Sequence, residues 1–278
     1  MSRTALVVGA AGGMGTEVVK QLVQQGYAVT ATVLNDNEAA HLRASAPGVS
    51  RTLKLDLADA DRVLDDLNAL ALPSLDAVVV CAAVGPTGPL EIASLAGLRR
   101  TLEINTVAAA AIFQACMPAL RAARGRLVLI SSFAGKVGLP FLGHYVASKH
   151  ALEGMADVMR REAKADGVEV VLIEPGGVKT PMVTGQLESV ARDRAALSPE
   201  HAARFGAFYD GFLAVANKSW DTMLDPSVIA DTVLAALHAD SPQIRYPVGD
   251  DSRFLCEVAR KTDPEIEAIV ASFMGGEA

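Results

Sequence analysis

Tyr145 and Lys149 stand four residues apart, so on a helix a phenol and an ammonium share one face about one turn from each other. Such a pair can handle a proton at one reacting atom. A free phenol, with a pKa of about 10, is a poor base near neutrality, and a neighbouring cation favours its phenolate. The same spacing is common on solvated helix faces, so the pair gains meaning only from what converges on it. Ser132, thirteen residues upstream, offers a hydroxyl that could hold an alcohol or carbonyl oxygen. Asn105 opens an apolar helical stretch, and Thr180 lies four residues beyond Gly176. Taken singly, Ser132 reads as a strand-end hydroxyl, Asn105 as a helix cap and Thr180 as a loop cap. Taken together, they read as a reaction centre.

A second constellation lies near the N-terminus. Gly9-Ala10-Ala11-Gly12-Gly13-Met14-Gly15 follows an apolar run and opens a helical pattern, the context in which a glycine loop cradles a pyrophosphate. Gly9 permits a tight turn, Gly13 lets backbone approach phosphate, and Gly15 lets helix pack on strand, while the helix N-terminus favours negative charge. Ribose recognition belongs at the end of the second strand, where an acid would bind a 2′-hydroxyl and an arginine a 2′-phosphate. Val33-Leu34-Asn35 offers neither, and Asp36 comes late for the role. Burying a 2′-phosphate without a cation is costly, which favours NAD(H) without excluding NADP(H). Asp56-Leu57 is placed to contact adenine or, alternatively, to cap the next helix.

The elements that must position these groups follow an alternating pattern. Short apolar runs at 5–8, 29–33, 52–55, 77–80, 127–130 and 168–173 predict strands. They are near-continuously apolar, as parallel strands covered on both faces require. Amphipathic segments at 13–25, 37–44, 58–70, 105–123 and 145–166 supply crossover helices. The expected fold is α/β, a single doubly wound parallel sheet of the Rossmann type over residues 1–278. Ser132 then falls at a strand's carboxyl edge, where ligands bind in such sheets. The pattern loosens after Pro175, before a helix from 226 to 238, a short strand at 244–247 and a helical tail. The segment at about 181–224 is expected to be a substrate lid. Phe205, Phe208, Tyr209, Phe212 and Trp220 concentrate aromatic residues there, either as a lid or as core and oligomer packing.

On these residues the chain resembles the short-chain dehydrogenase/reductase family over roughly residues 4–250: a GxxxGxG loop, Asn105, Ser132, the Tyr145-to-Lys149 pair, the Pro175-Gly176 turn and Thr180. The resemblance implies an NAD(P)-dependent alcohol dehydrogenase or ketoreductase. Tyr145 would be the general acid/base, and Ser132 would polarise the substrate oxygen. Lys149 would bind the nicotinamide ribose and lower the tyrosine pKa, while Asn105 would anchor a water-mediated proton relay. Gly9, Gly12, Gly13, Met14, Gly15, Leu34, Asp56, Leu57, Ala82, Ala83, Tyr145, Lys149, Pro175, Gly176, Val178 and Thr180 would contact the cofactor. One departure is plain: Val80-Cys81-Ala82-Ala83 stands where the family usually shows Asn-Asn-Ala-Gly, and the Ala83 methyl narrows the space beside the adenosine ribose.

The stretches 131–140 and 245–249 resemble the branch acting on steroids, retinoids and other apolar alcohols. Val84, Leu139, Phe141 and Met182, with the aromatic segment, suggest an apolar pocket for a small secondary alcohol or ketone, with Ser132, Tyr145, Leu139 and Phe141 touching it. Two alternatives remain: a dinucleotide-binding redox sensor without turnover, and a sugar-nucleotide epimerase or dehydratase. The net charge of −7 speaks against a nucleic-acid groove. Cys81, Cys116 and Cys256 lack metal-ligand spacing, so no metal is assigned and a reducing, cytoplasmic compartment is expected. Interruptions by Asp76 and Gln114 argue against a membrane span. His144 is expected to face a loop or solvent, because adjacent helix positions point apart. By resemblance, helices 105–123 and 145–166 form the contact of a homodimer or homotetramer.

Overall fold

Strands buried on both faces must be apolar at nearly every position, and the chain supplies seven runs that meet this demand to different degrees. The computed structural model describes residues 2–273. The strands are β1 (Thr4–Val8), β2 (Ala28–Val33), β3 (Arg51–Lys54), β4 (Ala77–Val80), β5 (Arg126–Ile130), β6 (Glu169–Pro175) and β7 (Arg245–Val248). They form one parallel sheet in the order β3-β2-β1-β4-β5-β6-β7. Central β4 is buried throughout, whereas edge strand β3 is half-exposed. The order reverses between β1 and β4, so a crevice opens there at the strands' carboxyl ends.

Helices α1 (Gly13–Gln24), α2 (Asp36–Ser45) and α9 (Pro226–His238) cover one face. Helices α3 (Ala60–Ala69), α5 (Ala108–Ala123) and α6 (Gly143–Ala163) cover the other. Alternation along each strand feeds the two layers: Val7, Val79 and Val128 pack with α1 and α9, and Leu6, Val78 and Leu127 pack with α5 and α6. Helices α10 (Asp250–Val258) and α11 (Asp263–Phe273) close the described chain, and the end of the expected tail, residues 274–278, lies outside the described residues.

The structure departs from expectation in four places. First, Asn105 does not open a helix. Helix α4 (Leu95–Leu102) leads through a π-helical turn, Glu103–Val107, directly into α5. Second, this run, Leu95–Ala123, is long and apolar enough by length and composition to cross a membrane. Gln114 carries no charge and does not interrupt it, contrary to the expectation from sequence. In this fold its stripe of Ala108, Ile112, Cys116, Ala119 and Leu120 packs against the sheet. Third, the segment after Pro175 is ordered as two helices, α7 (Pro181–Ala195) and α8 (Pro199–Ser219), each with a proline in its first turn and a hydroxyl cap, Thr180 and Ser198. Fourth, His144 is buried, its ring 3.5 Å from where a Gly97 Cβ would stand. The close approach of α4 to α6 excludes it from solvent.

A polar network ties the sheet's far end to α6. Glu153 on α6 and Glu174 on β6 are 4% and 1% exposed. Lys136 Nζ lies 2.9 Å from Glu153 Oε2 and 3.6 Å from Glu174 Oε1, and Arg245 Nε lies 2.9 and 3.5 Å from the same two oxygens. Burial, then the charge of Glu153, raises the Glu174 carboxyl from 4.5 to about 7. A carboxyl raised on folding binds its proton more tightly in the native state, so its contribution to stability is full below about pH 4.5 and is lost as pH climbs to about 7. Glu174→Gln mimics the protonated form. It is therefore expected to stabilise the protein at pH 8 by on the order of 2 kcal/mol, with the gain vanishing by pH 4.5. Thermal melts across that range check this, and equal or lower stability of the variant at pH 8 refutes it.

Candidate active site

A cavity of about 290 Å³ occupies the crevice between β1 and β4. One end is the glycine loop. Gly9 takes φ +75°, and a Cβ there would stand 2.6 Å from the Ala82 backbone nitrogen. A Cβ on Gly15 would collide with the Gly9 carbonyl oxygen. These two glycines let the β1 turn, the start of α1 and the end of β4 close on one another. A Cβ on Gly13 would meet Thr180 Cγ2 at 3.0 Å, so its smallness also serves the approach of the loop before α7. No side chain caps the N-terminus of α1, leaving the backbone donors and dipole of that end to an anion. Gly9, Gly12, Gly13, Met14 and Gly15 all line the cavity.

The opposite end holds the candidate reacting groups. Tyr145 and Lys149 line the cavity from α6, and Ser132, buried just beyond β5 and off the cavity lining, is near enough to the phenol to pull its pKa down. Lys149 is 2% exposed, donates to the Ile130 carbonyl at 2.7 Å, and sits 5.6 Å from the Tyr145 ring centre. Burial lowers this ammonium from 10.5 to about 8, while Glu153 and Cys81 pull it back up. For the phenol, burial outweighs the pull of Ser132 and pushes it to about 12. In the protein alone desolvation dominates, and the phenol keeps its proton at neutral pH.

Asn105 positions this end from behind. Its Oδ1 accepts from Val84 N at 2.8 Å, and its Nδ2 donates to Val84 O at 2.8 Å and to Ser148 Oγ at 2.9 Å. Both amide hydrogens are spent on stapling the loop after β4 to α6, and the π-helical turn, a widening that recurs at functional sites, presents the side chain for it. A water relay from Asn105 would have to use its backbone. Gln186 of α7 donates to the Gly85 carbonyl beside the Tyr145 ring, closing the lid over the reacting end.

Not every predicted contact reaches the cavity. Leu34, Asp56, Leu57, Ala82, Ala83 and Thr180 line it. Pro175, Gly176 and Val178 do not. Asp251 occupies the space beside Gly176 and accepts from Gly177 N at 2.7 Å, and Val178 bridges to Leu224. These three form the floor under the lid. Leu139 and Phe141 also stay off the wall: Phe141, at φ +76°, is packed edge-on to Tyr209 at 4.7 Å and stacked on Phe212 at 4.9 Å. The aromatic segment of α8 thus forms a core of its own with Val190 and Phe205. Cys81 lines the cavity, but burial pushes its thiol up to about 12, so it stays protonated.

Sequence reasoning missed Thr32, Glu38, Arg100 and Ser131, all of which line the cavity. Thr32 Oγ1 accepts from Gly9 N at 3.1 Å and holds the turn. Ser131 Oγ is buried with no partner among the described residues, an unmet hydroxyl on the wall of a dinucleotide-sized groove. Only Glu38 left a signal, the Asn35-x-x-Glu38 spacing of a capping box. Glycine loop, undecorated helix start, orphan hydroxyl and elongated cavity together fit a nicotinamide dinucleotide.

Comparison with known proteins agrees. The short chain dehydrogenase family matches residues 3–190. An uncharacterized oxidoreductase, YbbO of Escherichia coli K12, is 31% identical over 251 residues, covering 89% of this chain and 86% of that protein. Human 17-beta-hydroxysteroid dehydrogenase type 1 is 32% identical over 261 residues, covering 88% and 77%. A short chain dehydrogenase from Burkholderia cenocepacia, solved in complex with NADP, superposes with a TM-score of 0.74 at 20% identity, covering 97% of each chain. The chain belongs to the short-chain dehydrogenase/reductase family of oxidoreductases, within the branch that includes steroid and retinol dehydrogenases.

Proposed function

We propose that this chain interconverts a secondary alcohol and a ketone with NAD(P)(H), using Tyr145 as acid and base. The observation that carries the reading is that Tyr145 and Lys149 line one end of a cavity whose other wall is the glycine loop, with buried Ser132 beside the phenol. A bound nicotinamide supplies the hydride acceptor or donor. Ser132 holds the substrate oxygen, and Tyr145, protonated at neutral pH by its burial, gives that oxygen a proton as hydride reaches the carbon. In the reverse direction the phenolate takes the alcohol's proton, and the buried Lys149 cation beside the ring favours that charge. Asn105 keeps α6 in place against the loop after β4. Lys149 would also hold the nicotinamide ribose.

The wall near Tyr145 carries Val84, Ile104 and Met182, which suits an apolar substrate, and the steroid dehydrogenase relative acts as support for that class. We also place the protein in the cytoplasm, as a homodimer or homotetramer through α5 and α6, where Val107, at the end of the π-helical turn that leads into α5, and Val158 of α6 are exposed; a monomer in sedimentation would refute the assembly. Incubation with a panel of secondary alcohols and ketones, following nicotinamide absorbance with NAD(H) and NADP(H), tests the reaction. Turnover on at least one apolar member supports it. Tight dinucleotide binding without turnover across the panel would favour the sensor instead.

A further inference from the structure

We propose that Glu153 is a positioning residue of the reaction: its buried carboxylate, one turn beyond Lys149 on α6, keeps that ammonium charged and so keeps a cation beside the Tyr145 ring. This role rests on the acid–base reading of Tyr145 given above. Among the described residues Lys149 has no salt bridge. Its ammonium donates to a neutral carbonyl, that of Ile130, in a setting where it is 2% exposed, and a buried cation without a counter-charge is costly. The groups that face it are Tyr145 from its own helix, the Cys81 thiol from the end of β4 and the Ile130 carbonyl from β5. Phenol and thiol are both pushed up to about 12 and carry no charge near neutrality. Glu153 is left as the anion that supports it.

The surroundings of Glu153 suit that task. Lys136, from the loop after β5, and Arg245, from β7, each stand 2.9 Å from its Oε2, so the carboxylate stays ionised. Oε1 is buried with no partner among the described residues. Glu174 of β6 lies 3.6 and 3.5 Å from the same two cations, and Asp157, a turn further along α6, takes the other end of Arg245 at 3.0 Å and meets Arg160 and Arg161 at 3.5 Å. Gly135 shows how closely the carboxylate stem nears the reacting end. A Cβ there would stand 2.8 Å from Glu153 Cγ, 3.1 Å from the Lys149 carbonyl oxygen and 3.1 Å from Ser131 Oγ, so no side chain intervenes at that point. Even with Glu153 ionised, burial holds the ammonium at about 8. Loss of the carboxylate charge therefore leaves a largely neutral amine at neutral pH, and the phenolate loses its cation.

Glu153→Gln removes the charge and keeps the shape, while Glu153→Asp keeps the charge. For each, kcat/KM for oxidation of a responsive secondary alcohol is followed from about pH 6 to about pH 10, with thermal melts to confirm folding. In Glu153→Gln the midpoint of the alkaline rise is expected to move up by about one unit. That shift makes a roughly tenfold loss at pH 7, which closes as pH climbs through the new midpoint. Glu153→Asp should move it by less than about half a unit. An unmoved midpoint, or a loss of the same size at every pH, makes Glu153 packing alone and overturns the proposal. Should Glu153→Gln fail to fold, Glu153→Gln with Arg245→Met removes one charge of each sign from the cluster; the same upward shift is expected, and its absence overturns the proposal equally. Wild type inactive on every alcohol and ketone overturns the acid–base reading and this role with it, whereas an active wild type with an unmoved variant midpoint overturns the role of Glu153 alone.

Discussion

Replacing Tyr145 with phenylalanine should lower turnover by about 10²–10⁴-fold while leaving dinucleotide affinity within about twofold. The phenol oxygen is the one atom removed. The ring stays beside Gly85 and Gln186, α6 keeps its packing, and Lys149 keeps its bond to Ile130. What disappears is the proton carrier of the proposed reaction, the phenol beside Ser132. Steady-state rates on a responsive alcohol, with NAD(P) titration alongside, separate chemistry from binding. Wild-type turnover in the variant would remove the proton-transfer role on which the proposed reaction rests. A uniform loss of affinity and rate would instead mark the side chain as packing.

The residues of the candidate site were legible because they sit on two short, local patterns. Five residues of one helix carry Tyr145 and Lys149, and seven residues of one turn carry the glycine loop. The sheet was legible for a related reason: β4 and β6 are buried on both faces, so their hydrophobicity is nearly unbroken. Interactions that pair distant segments leave no such trace. Asn105 reads as a helix cap because nothing local reveals the π-helical turn that aims it at Val84 and Ser148. Phe141 reads as a pocket residue because its apolar character is visible and its partners on α8, more than sixty residues on, are not. Glu38 lies beyond the strand end where an acid is sought; only the backbone of Leu34 turns it back.

The network behind α6 gives the largest stability effect. Arg245 is the point where β7 holds both α6 and β6, through Glu153, Asp157 and Glu174. Arg245→Met keeps much of the apolar stem and removes the charge, leaving two buried carboxylates with Lys136 as the remaining cation on both. Breaking a buried pair from one side costs about 3–5 kcal/mol, and that range is expected at pH 8, where Glu174 has shed its proton. At pH 5 the loss should be smaller. With its carboxyl raised to about 7, Glu174 is then neutral, and one of the two stranded charges is gone. Denaturant melts at the two pH values measure this difference. A pH-independent loss would mean that Arg245 contributes packing alone. The consequence reaches the site, because Glu153 lies one turn beyond Lys149 on α6 and Lys136 lies four residues beyond Ser132. The guanidinium that neutralises this cluster thereby sets the register of the helix carrying the phenol against the strand end carrying the hydroxyl.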